Sequence, residues 1–359
     1  MSDLQRYHRD RGARLAPDGI PLDYGDLTTE YEALDQAAIL LDRSHEGRIL
    51  LSGDDRLSLV NRMSTNDLSA LAVNGGRATI FTDANARILF RAECFHRPEG
   101  LLLISEPGQG GSLADFLRRN IFFGDKVRVS DNSAATAQFA IHGERADEIA
   151  IALDRRLAKL PAMGSTDITV ADLAVILSRR AALVGGHWAL ICRVQEAAAV
   201  HRQLLEAGEP YGLQPAGSLA YNILRIRSGR PGGLELSSDY IPLEVGLWDE
   251  ISFNKGCYTG QEIIARMESR ERVAKAMVRL SLSRFVSAPA PLFSSGRKVG
   301  ALTSCVQASD GDIFALAVLK VGYCAPGAVL DVEPGAAQAR VIGFAGIQPP
   351  FIDRVAPRA

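Results

Sequence analysis

Cysteine is scarce and scattered. The five residues, Cys94, Cys192, Cys257, Cys305 and Cys324, include no C-x-x-C pair. An odd, dispersed set argues against a disulfide framework and against a structural zinc site, and it fits a reducing, cytoplasmic setting. It also leaves this chain with no evident ligand set for a cluster. No apolar run approaches the roughly 18–20 residues of a membrane span. The polar opening, Met1 to Gly12, lacks the apolar segment of a secretory signal. Neither sign of charge is in excess: 40 basic residues against 42 acidic ones leave a net charge of −2. That removes any bulk electrostatic drive toward nucleic acid, although a local basic patch around Arg225, Arg227 and Arg230 stays open. There is no internal repeat and no low-complexity segment. What remains is 359 residues at 47% hydrophobic content, enough for a large core and two or three domains.

One stretch organises the chain: Phe253-Asn254-Lys255-Gly256-Cys257-Tyr258-Thr259-Gly260-Gln261-Glu262. Two glycines bracket a cysteine, and a lysine precedes it. A helical pattern follows at once, with Ile263, Ile264 and Met267 on one face and Glu262 one turn from Arg266. A glycine-rich turn feeding a helix start aims free backbone N–H groups outward, which suits anions. Such a helix end, with Lys255 beside it, favours the thiolate of Cys257. Three readings are open on these grounds: a tight turn with Cys257 as a small buried hydrophobe, a reactive thiol, or an anion site.

The chain before this stretch is mixed. A helix is expected over Thr29–Ala38, then a short apolar Ile39-Leu40-Leu41 and the turn Asp42–Gly47. Arg48–Gly53 reads as a strand, and Asp54 as the N-cap of a helix carrying Leu57, Leu59, Val60 and Met63. His45 is expected to be a hydrogen-bonded histidine fixing a turn, and Asn66-Asp67 a turn or cap device. Residues 77–105 alternate as strands, and Leu113–Asn120 is a short helix. Residues 126–208 read β-α-β-β-α, with Lys126–Ser130 continuing into Gln138–Gly143. That order suits a ferredoxin-like split unit with helices on one face of an antiparallel sheet. Leu219–Arg227 is helical. Beyond about residue 275 come short strands at Ala276–Leu282, Lys298–Ser304, Phe314–Leu319 and Val329–Val332, the pattern of a small β-barrel.

The string K-G-C-Y-T-G-Q-E at 255–262 resembles the signature of the YgfZ family of folate-binding proteins, relatives of the glycine cleavage T protein. L-L-D-R-S-H-E-G-R at 40–48, G-D-D at 53–55 and S-T-N-D-L at 64–68 follow the order of the T-protein family. P-L-E-V-G-L at 242–247 is similar to that family's P-x-E-x-G-L, and V-G-A-L-T-S at 299–304 to the V-G-x-x-T-S of its C-terminal barrel. The resemblance implies an α+β fold: T-protein-like folate-binding lobes around a central cavity over residues 1–275, split near 125, and a C-terminal β-barrel over 276–359.

The resemblance also implies a function: a tetrahydrofolate-binding accessory protein for iron–sulfur cluster assembly or repair, linked to tRNA modification. It makes Cys257 and Lys255 the functional pair, and Arg227, Tyr258, Gln261, Glu262 and Asn66 cofactor-binding residues. The expected ligand is tetrahydrofolate, a folate derivative or another acidic small molecule, and the expected partners are iron–sulfur client enzymes. The alternatives are a tetrahydrofolate-dependent aminomethyltransferase and a non-catalytic binding module on the same scaffold.

Two positions depart from the T-protein pattern. The family's G-G-I-x-D-D supplies an aspartate at N5 of the folate, and its L-R-x-E-A-G a glutamate at the pterin edge. Here the corresponding stretches are Ala86-Arg87-Ile88-Leu89-Phe90-Arg91 and Leu224-Arg225-Ile226-Arg227-Ser228-Gly229. Arg227 therefore presents a donor to a donor edge. Losing one charged hydrogen bond costs about 1.5–3 kcal/mol, or roughly 10- to 100-fold in affinity. Glu93, two residues on from Arg91, is the nearest surviving carboxylate and is expected on the same side of a strand.

Overall fold

The computed structural model describes residues 2–352. The chain divides into two compact units that interleave in sequence. Among the described residues the first comprises 2–61, 68–78 and 92–221, and the second 62–67, 79–91 and 222–352.

In the first unit the run Ala38–Asp42 is a strand with every residue buried. Its continuous apolar sequence, with no polar alternation, is what a strand covered on both faces requires. It pairs antiparallel with Thr136–Gly143 and parallel with Leu213–Ala216. The full sheet runs Ser165–Val170, Leu173–Arg179, Gly186–Arg193, Thr136–Gly143, Ala38–Asp42, Leu213–Ala216. The expected ferredoxin-like order is present with two modifications. Ala38–Asp42 is threaded between the first and last strands of the unit, and Ser165–Val170 extends one edge. The helices Ala146–Leu153 and Ala197–Gly208 contribute Ile149, Val200 and Leu204 to the same core as Phe139, Leu177, Trp188 and Leu190.

A five-stranded sheet is ordered Gly76–Thr82, Ile88–Arg97, Gly100–Pro107, Glu46–Ser52, Arg128–Asp131. The expected continuation of Lys126–Ser130 into Gln138 is broken. A turn of 3-10 helix at Ser133–Ala135 intervenes, and the two strands join different sheets. The helix after Gly53 starts at Arg56, so its first turn follows Asp55, not Asp54. The Asp54 carboxylate instead faces Lys126 at 3.8 Å on the surface.

In the second unit six strands close a barrel in the order Lys275–Leu282, Ile313–Lys320, Arg297–Gln307, Ala290–Ser294, Val329–Val332, Ala337–Phe344. Ala290–Ser294 and Ala337–Phe344 lie outside the strands expected from sequence: the first carries Pro291, and Gln338, Arg340 and Gly343 interrupt the apolar residues of the second. Along the first strand Ala276, Val278, Leu280 and Leu282 share the barrel core, while Met277 points the other way, against Ile80, Ile88, Leu236, Val245 and Leu247. Strand alternation thus lets one segment serve two apolar layers. No helix among the described residues is long and apolar enough to cross a membrane.

Candidate functional site

The stretch 253–260 is an irregular loop of the second unit, and the helix Gln261–Ser269 begins directly after it. Gly260 is the N-cap at φ +86°, and a Cβ there would lie 2.6 Å from the Asp83 oxygen and 2.8 Å from the Ala86 Cα. Both the left-handed backbone and the close approach demand glycine. Thr82 Oγ1 donates to the Thr259 oxygen at 2.6 Å, a second tie to the same neighbouring hairpin. Tyr258 is buried among Ile251, Ile264 and the barrel residues, and burial pushes its phenol up to about 12.

Lys255 turns inward. Its Nζ donates to the Ser64 oxygen at 2.8 Å and the Asn66 oxygen at 2.6 Å, and sits 5.5 Å from the Tyr258 ring centroid. The lysine therefore joins the signature loop to the S-T-N-D block. Partial burial lowers its ammonium to about 8, a shift only partly countered by Asp67. The same block is held by Ser252 N donating to the Thr65 oxygen at 3.0 Å and Thr65 Oγ1 donating to the Glu250 oxygen at 2.7 Å. Asn66 Nδ2 donates to the Asp249 oxygen at 3.4 Å, and the Asp67 amide donates to Asn66 Oδ1 at 2.9 Å. Asn66 is thus the turn device expected from its type, with a long-range contact added.

Beside this junction lies a buried ion cluster. Arg91 Nε is 2.9 and 2.8 Å from the two Glu250 carboxylate oxygens, and its Nη2 is 2.6 Å from Oε1. Arg230 approaches the same carboxylate at 3.8 Å. Burial raises the Glu250 carboxyl, with Arg91 and then Arg230 pulling the other way. A second carboxylate, Glu235, is fully buried. It accepts from Ser304 Oγ at 2.7 Å and from the Gly232 amide at 3.0 Å, with Arg225 at 3.6 Å. Neither acid was singled out from sequence. Only its acidic type inside an apolar, glycine-rich segment marked each of them.

The residues expected at the site separate into groups. Lys255, Asn66 and Tyr258 come together. Cys257 is an exposed free thiol, which removes the reading of a small buried hydrophobe. Gln261 and Glu262 occupy the first turn of the helix, with Glu262 exposed. Arg227 is half-buried on the helix Ser218–Ser228, and its backbone oxygen accepts from Arg279 at 3.5 Å.

Two expectations fall in the first unit. Glu93 faces Arg180, with Nε at 3.3 Å. His45 lines a small pocket of about 190 Å³ with Asp42 and Ser44, and its buried Nδ1 lacks the expected hydrogen bond. Burial and Arg43 depress that imidazole to about 4.

Residues 7–255 match the GCVT N-terminal domain, well over half of the sequence. The chain belongs to the GCVT family. Among relatives of this GCVT chain, an aminomethyltransferase of Moorella thermoacetica is 31% identical, covering 93% of this chain and 94% of its own. A protein of Arabidopsis thaliana named "Putative transferase At1g60990, chloroplastic" is 30% identical, covering 84% of this chain and 69% of its own. The crystal structure of glycine cleavage system aminomethyltransferase T from Bartonella henselae superposes with a TM-score of 0.82 over 96% of both chains, at 20% identity. That likeness establishes the GCVT fold, with its C-terminal six-stranded barrel. The GCVT match ends at Lys255, so Cys257 lies just beyond it.

Proposed function

We propose that this GCVT-family protein is a tetrahydrofolate-binding accessory protein of the YgfZ type that serves iron–sulfur enzymes and does not catalyse aminomethyl transfer. The observation that carries this reading is the pairing of Arg91 with Glu250. Arg91 stands where the T-protein resemblance calls for the aspartate at N5, and a guanidinium cannot take up that role. The pterin edge calls for a carboxylate acceptor. The two buried acids described above, Glu250 and Glu235, already accept from the chain's own donors. The residues therefore suit the acidic glutamate end of a folate better than its pterin edge. Arg227, in the last turn of the helix Ser218–Ser228, is the cation to hold a carboxylate there, with Arg230, itself 3.8 Å from Glu250, two residues past the helix end. The folate, when bound, would supply the one-carbon chemistry; the chain's part is to bind and orient it. The exposed Cys257 supports the thiol role that the signature implies.

Calorimetry with tetrahydrofolate tests the ligand. Micromolar binding by the wild type supports a folate site. Binding gained only in Arg227→Glu indicates a scaffold retuned for another acidic molecule. Replacement of the chromosomal copy by Cys257→Ala tests the thiol: loss of cluster-enzyme activity with unchanged protein level is expected, and full activity would refute the thiol role.

The second reading, an aminomethyltransferase, is favoured by the 31% identity to the Moorella enzyme across nearly the whole chain. Turnover of aminomethylated carrier protein with tetrahydrofolate would establish it over the first.

A further inference from the structure

At the far end of the signature helix the second unit carries a cleft of about 640 Å³ lined by Arg270, Arg272, Lys275 and Lys320, with Glu271 its one acidic residue. The walls are the turn 270–274 and the strand end at Lys320–Gly322, joined by Val321 N donating to the Ala274 oxygen at 3.1 Å. Buried Val273 and Val321 form an apolar floor. We infer that this cleft is a binding site for a small polyanion, a molecule with two or more carboxylate or phosphate groups.

Three observations converge. The first is charge: four cations and one acid meet in a chain whose net charge is −2, so the cluster is local and not a reflection of overall composition. The second is register. Lys275 and Lys320 are direct partners on neighbouring antiparallel strands. Like charges directly opposite each other project from one face and destabilise the sheet. Lys320 Nζ has a neutral neighbour, the Lys298 oxygen at 3.2 Å, and Lys275 lies 5.7 Å from the Tyr240 ring with Glu244 within electrostatic reach. An anionic ligand in the cleft would add a carboxylate or phosphate to these contacts.

The third is backbone. Glu271 adopts φ +47°, a left-handed conformation unusual for a residue with a side chain. The turn it makes lets Arg270 cap the helix through its amide to Arg266 at 3.2 Å, and lets Arg272 N reach the Met267 oxygen at 3.0 Å. Both guanidinium-bearing residues then border one cleft. The turn is a left-handed helix C-cap closed by its own hydrogen bonds, Glu271 N donating to the Glu268 oxygen at 2.9 Å among them. What it contributes is two arginines at one cleft, where a ligand of opposite sign would offset the charge. This inference is independent of folate binding at the signature loop.

Calorimetry on the full chain at about 0.1 M salt, near-physiological screening, tests it with two probes, inorganic tripolyphosphate and citrate, against acetate as the monovalent control. One-to-one binding of at least one probe is expected, with at least a tenfold loss in the double variant Arg272→Gln, Lys320→Gln. Tripolyphosphate alone would assign a phosphorylated ligand, and citrate alone a polycarboxylate. The variant Arg119→Gln, at an exposed cation of the first unit, should bind as wild type does. No saturable binding of either probe, binding unchanged in the double variant, or equal weakening by Arg119→Gln would each overturn the proposal. Thermal melts supply a second reading. Lys320→Gln alone should melt at or above the wild-type temperature without ligand, because it removes a repulsion; a clear fall would assign these cations a structural role instead.

Discussion

Arg91 grips both oxygens of the Glu250 carboxylate although 159 residues separate them in the chain. Both side chains are buried, and Arg230 is the next cation at 3.8 Å. A position where the T-protein resemblance calls for an acid is thus filled by a base, and the base has its own internal acid to hold.

Breaking this pair from one side should be costly. Arg91→Ala leaves a buried carboxylate with only the more distant Arg230, and a loss of about 3–5 kcal/mol is expected. Glu250→Gln keeps an acceptor for Arg91 and should cost less. Urea denaturation of the two variants checks the order; equal losses, or none, would contradict it.

Thr65 serves two distant segments through one hydroxyl. It donates to the Glu250 oxygen at 2.7 Å and accepts from the Ile80 amide at 3.1 Å. Thr65→Val preserves the shape and leaves both groups unpaired in a buried site, at a cost of about 1–3 kcal/mol. A denaturation midpoint equal to wild type would mean that water replaces the hydroxyl.

Lys255 should give the protein a distinctive alkaline behaviour. Its ammonium is held at about 8 in the folded chain against an ordinary 10.5, so the unfolded chain binds this proton more tightly. Folding is opposed by the desolvated charge below about pH 8. The opposition fades as pH rises from about 8 to 10.5, where the folded amine is neutral and the unfolded one still charged. The unfolding free energy of wild type, measured relative to Lys255→Met, should therefore rise across that window. A flat or falling difference would show that the amine keeps its ordinary affinity for protons.

The thiols should separate by exposure. Cys257 is exposed, whereas Cys94, Cys192 and Cys324 are buried, and burial pushes Cys192 and Cys324 up to about 12. Ellman's reagent should therefore find one fast thiol in the native protein, absent in Cys257→Ser, with the buried three reacting only after denaturation. Cys305, half-buried and also raised, should be slow. A fast phase that survives Cys257→Ser would place the reactive thiol elsewhere.

Much of the fold was legible because its signals are local. The helix Gln261–Ser269 follows from the spacing of Ile263, Ile264 and Met267, and its start from Gly260. The strand Ala38–Asp42 follows from an unbroken apolar run, and four barrel strands from alternation between turn residues. Other signals misled. Asp54 resembles an N-cap, yet the turn lies one residue later, a distinction that residue type alone does not carry. Lys126–Ser130 and Gln138–Gly143 read as one piece because sheet membership is set by distant partners.

The sequence by itself determined that a signature loop with a cysteine and a lysine feeds a helix, within a GCVT scaffold; that the cysteine is exposed came from the structure. Only the tertiary structure decided where those groups point. Lys255 reaches carbonyls 191 and 189 positions away, Arg91 finds Glu250, and Lys275 stands opposite Lys320. The physical reason is the range of the forces. Helix periodicity and turn chemistry act within a few residues and are written in local order. Pairing of buried charges depends on which segments the packed core brings within about 4 Å, and residue order carries no direct record of that.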